Sequence, residues 1–238
     1  MKSLRALPAW ALVIATGTSC ARPASNPPPI NTLTAAESAA GWRLLFDGRT
    51  TTGWRNFRQD SISAGWQVVD GALTRAAAGA GDILTREKFK NFELALEWKI
   101  APGGNSGIFY RASEDDDAIY WTAPEMQVLD DASHPDAQSR LTAAGANYEI
   151  DSAPAGVVRP AGEWNQVRIV VNGSHVEHWL NGVKVVEYEL GSPAWEAKVK
   201  ASKFAPHVHY GRNAEGYVGL QDHGDPVSYR NIKIRVLP

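Results

Sequence analysis

A single cysteine stands among the 238 residues. A lone thiol cannot close an intramolecular disulfide, so the fold rests on its apolar core. Beyond the N-terminus no apolar run is long enough to span a bilayer as a helix. The balance of 24 basic and 26 acidic residues leaves a net charge of -2 and no basic footprint for nucleic acid. Helical periodicity is scarce, and no Gly-rich phosphate motif follows a strand and opens a helix. There is no helical His-x-x-x-His pair and no cysteine ligand set, so no zinc site is expected. Ser106 lies in Asn105-Ser106-Gly107 rather than in a nucleophile elbow, and no Ser/His/Asp order is legible. No internal repeat is visible.

What is present begins with a targeting segment. Lys2 and Arg5 give a positive start, Ala6 to Ala15 an apolar run too short to span, and Thr16 to Ser19 small residues before Cys20. Residues 1–20 therefore read as a signal peptide. Cys20 resembles the lipid-attached cysteine of bacterial lipoproteins, although Gly17 departs from that pattern where leucine is usual. That resemblance implies a lipid anchor as the only membrane contact. It places the protein outside the cytoplasm, in the bacterial periplasm or on the outer surface; plain secretion is the alternative. Residues 21–34 are rich in Pro, Ser and Asn and read as a linker. Residues 35–238 suffice for one domain with a sizeable core.

That domain reads as strands and turns. Phe92 to Ile100 alternates at period two, with Phe92, Leu94, Leu96 and Trp98 on one face. Gln166–Val171, His175–Leu180 and Val183–Glu189 are separated by Asn172-Gly173 and Asn181-Gly182, a β-meander signature. Thr34 and Glu37 form a capping box for one short helix. Many short antiparallel strands imply an all-β sandwich of two sheets, or a jelly roll. Trp66, Trp98, Trp164 and Trp179 fall at strand positions and are expected in its core, and His175 and His178 on the meander are expected at the surface.

Gly219 to Gly224 is the most informative stretch. It reads as a strand and tight turn leading to a second strand from Val227. Val218 and Leu220 point one way; Gly219, Gln221 and His223 point the other. Glu125 and Gln127 likewise share a face opposite Met126 and Val128. If both polar faces line one concave sheet, a His, a Glu and two amides converge. His223 suits proton transfer near neutrality.

Taken in order, several motifs resemble a family. They are Trp42 to Gly48, Trp66 to Leu73, Gly104-Asn105-Ser106-Gly107-Ile108-Phe109-Tyr110-Arg111, Glu125 to Asp130, Pro160 to Asn165, Leu180 to Gly182, Gly219 to Gly224 and Tyr229 to Ile234. Together they are similar to the 3-keto-disaccharide hydrolase domain family, from about residue 41 to the C-terminus. The resemblance implies a concanavalin-like jelly roll with few short helices. It implies an exported enzyme whose carbohydrate substrate is a glycoside already oxidised at carbon 3, supplied by an upstream sugar 3-oxidoreductase. A ketone at carbon 3 acidifies the carbon-2 hydrogen, so a base can start an elimination that expels the group on carbon 1, and water then adds back.

On this reading His223 and Glu125 are the catalytic residues, and Asn105, Arg111, Tyr120, Trp121, Gln127 and Gln221 bind substrate. Arg111 stabilises the enolate or binds hydroxyls; its structural alternative is an ion pair with the acidic run 114–117. Tyr120 and Trp121 stack on sugar or pack in the core. No cofactor is called for, although Asp130, Asp131 and Asp136 offer oxygen ligands for a divalent cation such as calcium. Two other functions compete. A non-catalytic carbohydrate-binding module needs only amides and aromatics. A glycosidase of unmodified glycans needs two carboxylates, and Glu93 with Glu97 is the available pair.

Overall fold

Alternation and Asn-Gly turns build most of the domain. The computed structural model describes residues 29–238. Cys20 and the signal segment lie outside these residues. Thr34 caps α1 (Ala35–Ala39), accepting from the Glu37 backbone amide while the Glu37 carboxylate accepts from that of Thr34. The strands follow as β1 (Trp42–Leu44), β2 (Trp54–Asn56), β3 (Trp66–Val69), β4 (Ala72–Arg75), β5 (Ile83–Phe89), β6 (Phe92–Ile100), β7 (Asn105–Ala112) and β8 (Glu125–Leu129). The meander is β9 (Asn165–Asn172), β10 (His175–Leu180) and β11 (Val183–Glu189). Helix α2 (Pro193–Ala201) leads to β12 (Gly216–Leu220) and β13 (Val227–Val236).

Two antiparallel sheets result, as the patterning requires of an all-β jelly roll. One has eight strands in the order β11-β10-β9-β6-β13-β4-β3, with β1 also on β13. The other has five, β2-β5-β12-β7-β8. The inner faces share one core that includes Trp66, Leu73, Leu94, Leu96, Trp98, Ile108, Met126, Val128, Val218 and Leu220. The two strands around Gly224 belong to opposite sheets, so the segment 221–226 crosses between layers instead of closing a hairpin. Ser106 on β7 ties the layers together. Its hydroxyl donates to the Gln221 carbonyl and accepts from the Tyr229 hydroxyl, each 2.7 Å away.

Several expectations need correction. Trp164 and Trp179 are only half-buried. They lie on the outer face of the eight-stranded sheet, beneath Lys99 and Arg230 and beneath Arg168 and Lys184. His178 is fully buried, not exposed, because its strand parity faces the core. Its Nδ1 lies 3.1 Å from the Gly145 carbonyl, and its Nε2 lies 2.7 Å from the Tyr110 hydroxyl. That geometry assigns the proton to Nδ1, with Tyr110 donating to Nε2. Burial pushes its pKa down to about 4, so the ring is neutral. Helix α2 escaped the periodicity because only Trp195 and Val199 of its nine residues are buried. The last residues assigned to the linker are docked. Asn31 is buried at φ 55 and trades hydrogen bonds with Asn231, itself at φ 54.

Candidate active site

The outer face of the five-stranded sheet holds a cavity of about 380 Å³. It is lined by Asp82, Asn105, Tyr120, Trp121, Glu125, Gln127, Tyr148, Lys203, Gln221, Asp222 and His223. Strand parity explains the floor. On β8, Met126 and Val128 enter the core, which turns Glu125 and Gln127 outward. On β7, Ser106 and Ile108 turn inward, which leaves Asn105 and Gly107 beneath the cavity. Gln221 follows β12 with the same parity as Gly219.

The Asn105-Ser106-Gly107 motif has a residue-by-residue meaning. Asn105 faces the cavity, Ser106 clasps the two sheets, and Gly107 makes room. A Cβ on Gly107 would lie 1.9 Å from Glu125 Oε1, so the carboxyl occupies the space a side chain would fill. Asp222 serves structure: its carboxylate accepts from Arg75 Nε at 2.6 Å and from the Gly81 amide at 2.7 Å. Its own amide donates to Asp82 at 2.9 Å. His223 is exposed at the rim, its ring 6.4 Å from that of His134 and nearly perpendicular to it. Trp121 stacks on His207 at 3.7 Å with the rings almost parallel, and Tyr120 meets its edge at 4.5 Å. His207 therefore covers one face of Trp121.

Two features give the cavity its chemistry. The first is unpaired polarity. Asn105 Oδ1, both amide atoms of Gln127 and Gln221 Oε1 are buried without a protein partner. Each such atom costs on the order of 1–3 kcal/mol unless a hydrogen-bonding group meets it. Four of them around one concavity suit a ligand rich in hydroxyls. The second feature is a pair of carboxyls with raised pKa values. Burial pushes Glu125 up to about 8; Lys203 opposes the rise, and Asp82, Asp136 and Glu149 add to it. Burial pushes Asp82 up to about 6, opposed by the Asp222 amide and assisted by the Asp222 charge. At neutral pH Glu125 is thus mainly protonated and Asp82 mainly ionised.

Of the residues the sequence singles out, Asn105, Tyr120, Trp121, Glu125, Gln127, Gln221 and His223 line this one cavity. Arg111 does not line it. Its backbone is left-handed at φ 51, and the ladder to β12 slips between Tyr217 and Gly219. The bulge breaks the alternation that would have aligned Arg111 with Asn105 and Gly107. Its guanidinium instead donates to the Lys90 and Gly173 carbonyls. The acidic run is held by another arginine: Arg55 grips Glu114 through two bonds of 2.7 and 2.8 Å.

Sequence patterning does not reveal Asp82, Tyr148 and Lys203. All three come from loops or strand edges without a local pattern. Glu93 and Glu97 belong elsewhere, on the outer face of the larger sheet. Glu93 pairs with Arg235 and Arg168, and Glu97 with Arg230 at 2.7 Å. Asp130 and Asp131 spend their oxygens on backbone amides and on Arg140. Among the described residues, His175, Glu177 and Glu187 form a group compact enough for a metal, on the β10–β11 hairpin. Lys184 already lies 3.3 Å from Glu177 and 2.6 Å from Glu187, which supplies the countercharge.

Residues 41–235 match the profile of the 3-keto-alpha-glucoside-1,2-lyase-like domain. A Bacteroides thetaiotaomicron protein named 3-keto-disaccharide hydrolase is 38% identical over an alignment of 230 positions, which covers 84% of this chain and 79% of that one. A crystal structure from Parabacteroides distasonis, provisionally assigned to the glycosyl hydrolases, superposes with a TM-score of 0.83 at 34% identity. The match covers 88% of this chain and all of that one. A second such structure from the same organism gives 0.64 at 30% identity, over 82% of this chain and 99% of that one.

Proposed function

The chain belongs to the 3-keto-alpha-glucoside-1,2-lyase-like family, and on that footing we propose that it cleaves glycosides carrying a ketone at carbon 3. The observation that carries the reading is the cavity floor, where unpaired buried amides surround the buried carboxyl of Glu125, whose pKa burial raises. The amides of Asn105, Gln127 and Gln221 hold sugar hydroxyls. His223 takes the carbon-2 proton from the rim, and the electron pair moves onto the carbon-3 oxygen as an enolate. The enolate collapses, carbon 1 loses its substituent, and Glu125 protonates the departing oxygen. Water then adds across carbons 1 and 2: its hydroxyl goes to carbon 1, its proton restores Glu125, and His223, exchanging its proton with solvent at the rim, returns one to carbon 2. The sum is hydrolysis. Glu125 suits its role because an acid works only while it still holds its proton at the working pH.

Export and substrate supply rest on the sequence and on chemistry. The signal-like segment and Cys20 support export and a lipid anchor. The substrate ketone requires a prior oxidation, so a sugar 3-oxidoreductase supplies it.

The test is product formation from a 3-keto-disaccharide and from its unoxidised parent, side by side, with and without chelator. Cleavage of the keto sugar alone is expected. Equal cleavage of both would point to ordinary glycosidase chemistry. Binding of sugar without cleavage of either would make the protein a carbohydrate-binding module. Loss of activity in chelator would add a metal to the mechanism.

A further inference from the structure

An enolate is an anion, and this cavity is poorly suited to anions. Asp82 and Asp222 line it, and the charges of Asp136 and Glu149 are felt at Glu125. Arg111, the cation the sequence offers, is turned away to backbone carbonyls. Arg75 is bound to Asp222. Among the residues lining the cavity, Lys203 is the one permanent cation.

Building on the reading above, we infer that Lys203 is a catalytic residue whose ammonium stabilises the charge developing on the carbon-3 oxygen as the carbon-2 proton leaves. Its placement is specific. Lys203 follows α2 at a turn where the Ser202 hydroxyl donates to the Val199 carbonyl at 2.9 Å and accepts from the Phe204 amide at 3.1 Å. Phe204 is buried, stacked on Tyr210 at 3.9 Å and set edge-on to Trp121 at 6.2 Å. The backbone at Lys203 is therefore anchored to the cavity wall. The ammonium lies 4.2 Å from the centre of the Tyr148 ring and 3.4 Å from Glu149 Oε1. The centre of the Phe204 ring lies 5.3 Å away. Two aromatic faces and one long ionic contact hold the ammonium, and none of them uses all its donors, so donors remain for an incoming oxygen. A lysine suits the task because it is a compact charge on a flexible stem. No proton need move to Lys203. The pair from the broken C–H bond rests on the carbon-3 oxygen until it expels the carbon-1 substituent.

Lys203→Met is expected to lower kcat on a 3-keto-disaccharide by about 100-fold, as for loss of one oxyanion donor, with little change in KM. Lys203→Arg should recover part of that loss. The methionine variant should also shift the alkaline fall of kcat/KM upward, because the ammonium favours ionised Glu125. A side chain that only packs the cavity wall would not cause this shift, and a charge that only neighbours Glu125 would cause it without the loss of kcat. A second measurement needs no turnover: binding of a 3-deoxy-3-nitro glycoside as its nitronate, an anion at the same position. Wild type should bind the nitronate tighter than the 3-hydroxyl parent, and Lys203→Met should lose that preference. Near-wild-type turnover by Lys203→Met, or lost turnover with the nitronate preference intact, would overturn the role of Lys203 while leaving the reaction class standing. A wild-type protein inert on the keto sugar would overturn the reaction class and the role together.

Discussion

Glu125→Gln is expected to lower kcat/KM on a 3-keto-disaccharide by roughly 10³-fold, mid-range for loss of a positioned proton donor. The amide keeps the size of the carboxylic acid and removes only its acidity. In wild type, kcat/KM should fall as pH rises through about 8, where Glu125 gives up its proton. The residual activity of the variant should not show that fall. The substitution should move stability in the opposite direction to activity. Burial raises the folded pKa from 4.5 to about 8, so ionising Glu125 is harder in the folded protein than in the unfolded chain. The stability present below pH 4.5 is therefore lost progressively as pH rises toward 8. At pH 7 that loss is on the order of 3 kcal/mol, at 1.36 kcal/mol per pH unit. Glu125→Gln should relieve it, and denaturant midpoints at pH 5 and pH 7 would show the gain at the higher pH. A variant both inactive and stabilised cannot be dismissed as unfolded. Retention of full turnover would remove Glu125 from the chemistry.

The second large effect comes from the smallest side chain. Gly107→Ala should cost about 100-fold in kcat/KM, the scale at which misplacing a catalytic group by an ångström acts. The added methyl would lie 1.9 Å from Glu125 Oε1 and 2.6 Å from its carboxyl carbon. These atoms end a flexible side chain, so the carboxyl shifts and the strand stays in place. The global fold should persist in circular dichroism. The double variant Gly107→Ala, Glu125→Gln should be no worse than Glu125→Gln alone, because both act through one group. Additive losses would mean that Gly107 matters for another reason.

How much of the fold and site is legible in the sequence follows from which signals are local. Period-two alternation places Phe92 to Ile100 and Glu125 to Leu129 on strands and states which face each residue takes. The Asn-Gly turns at 172–173 and 181–182 fix the meander. The polar face shared by Glu125 and Gln127, together with Gln221 and His223, therefore points to the cavity from residue order alone. Alternation fails where the backbone departs from it. The bulge at Arg111 reverses parity, and nothing in Phe109-Tyr110-Arg111-Ala112 announces it. Burial also depends on partners far along the chain. His178 is drawn inward by Tyr110 and the Gly145 carbonyl, while Trp164 and Trp179 stay outside under cations from other strands. Asp82 and Lys203 are 121 positions apart and meet the site through loops, where no periodicity records a shared face.

The central claim is that cleavage begins with removal of the carbon-2 proton. The measurement that tests it most directly is cleavage of a 3-keto-disaccharide in heavy water, with the released keto sugar analysed at carbon 2 beside a control for uncatalysed exchange. Elimination followed by hydration predicts one deuterium at carbon 2 for each bond cleaved. A product formed at the full rate with protium retained at carbon 2 would contradict the account and assign the reaction to direct displacement at carbon 1.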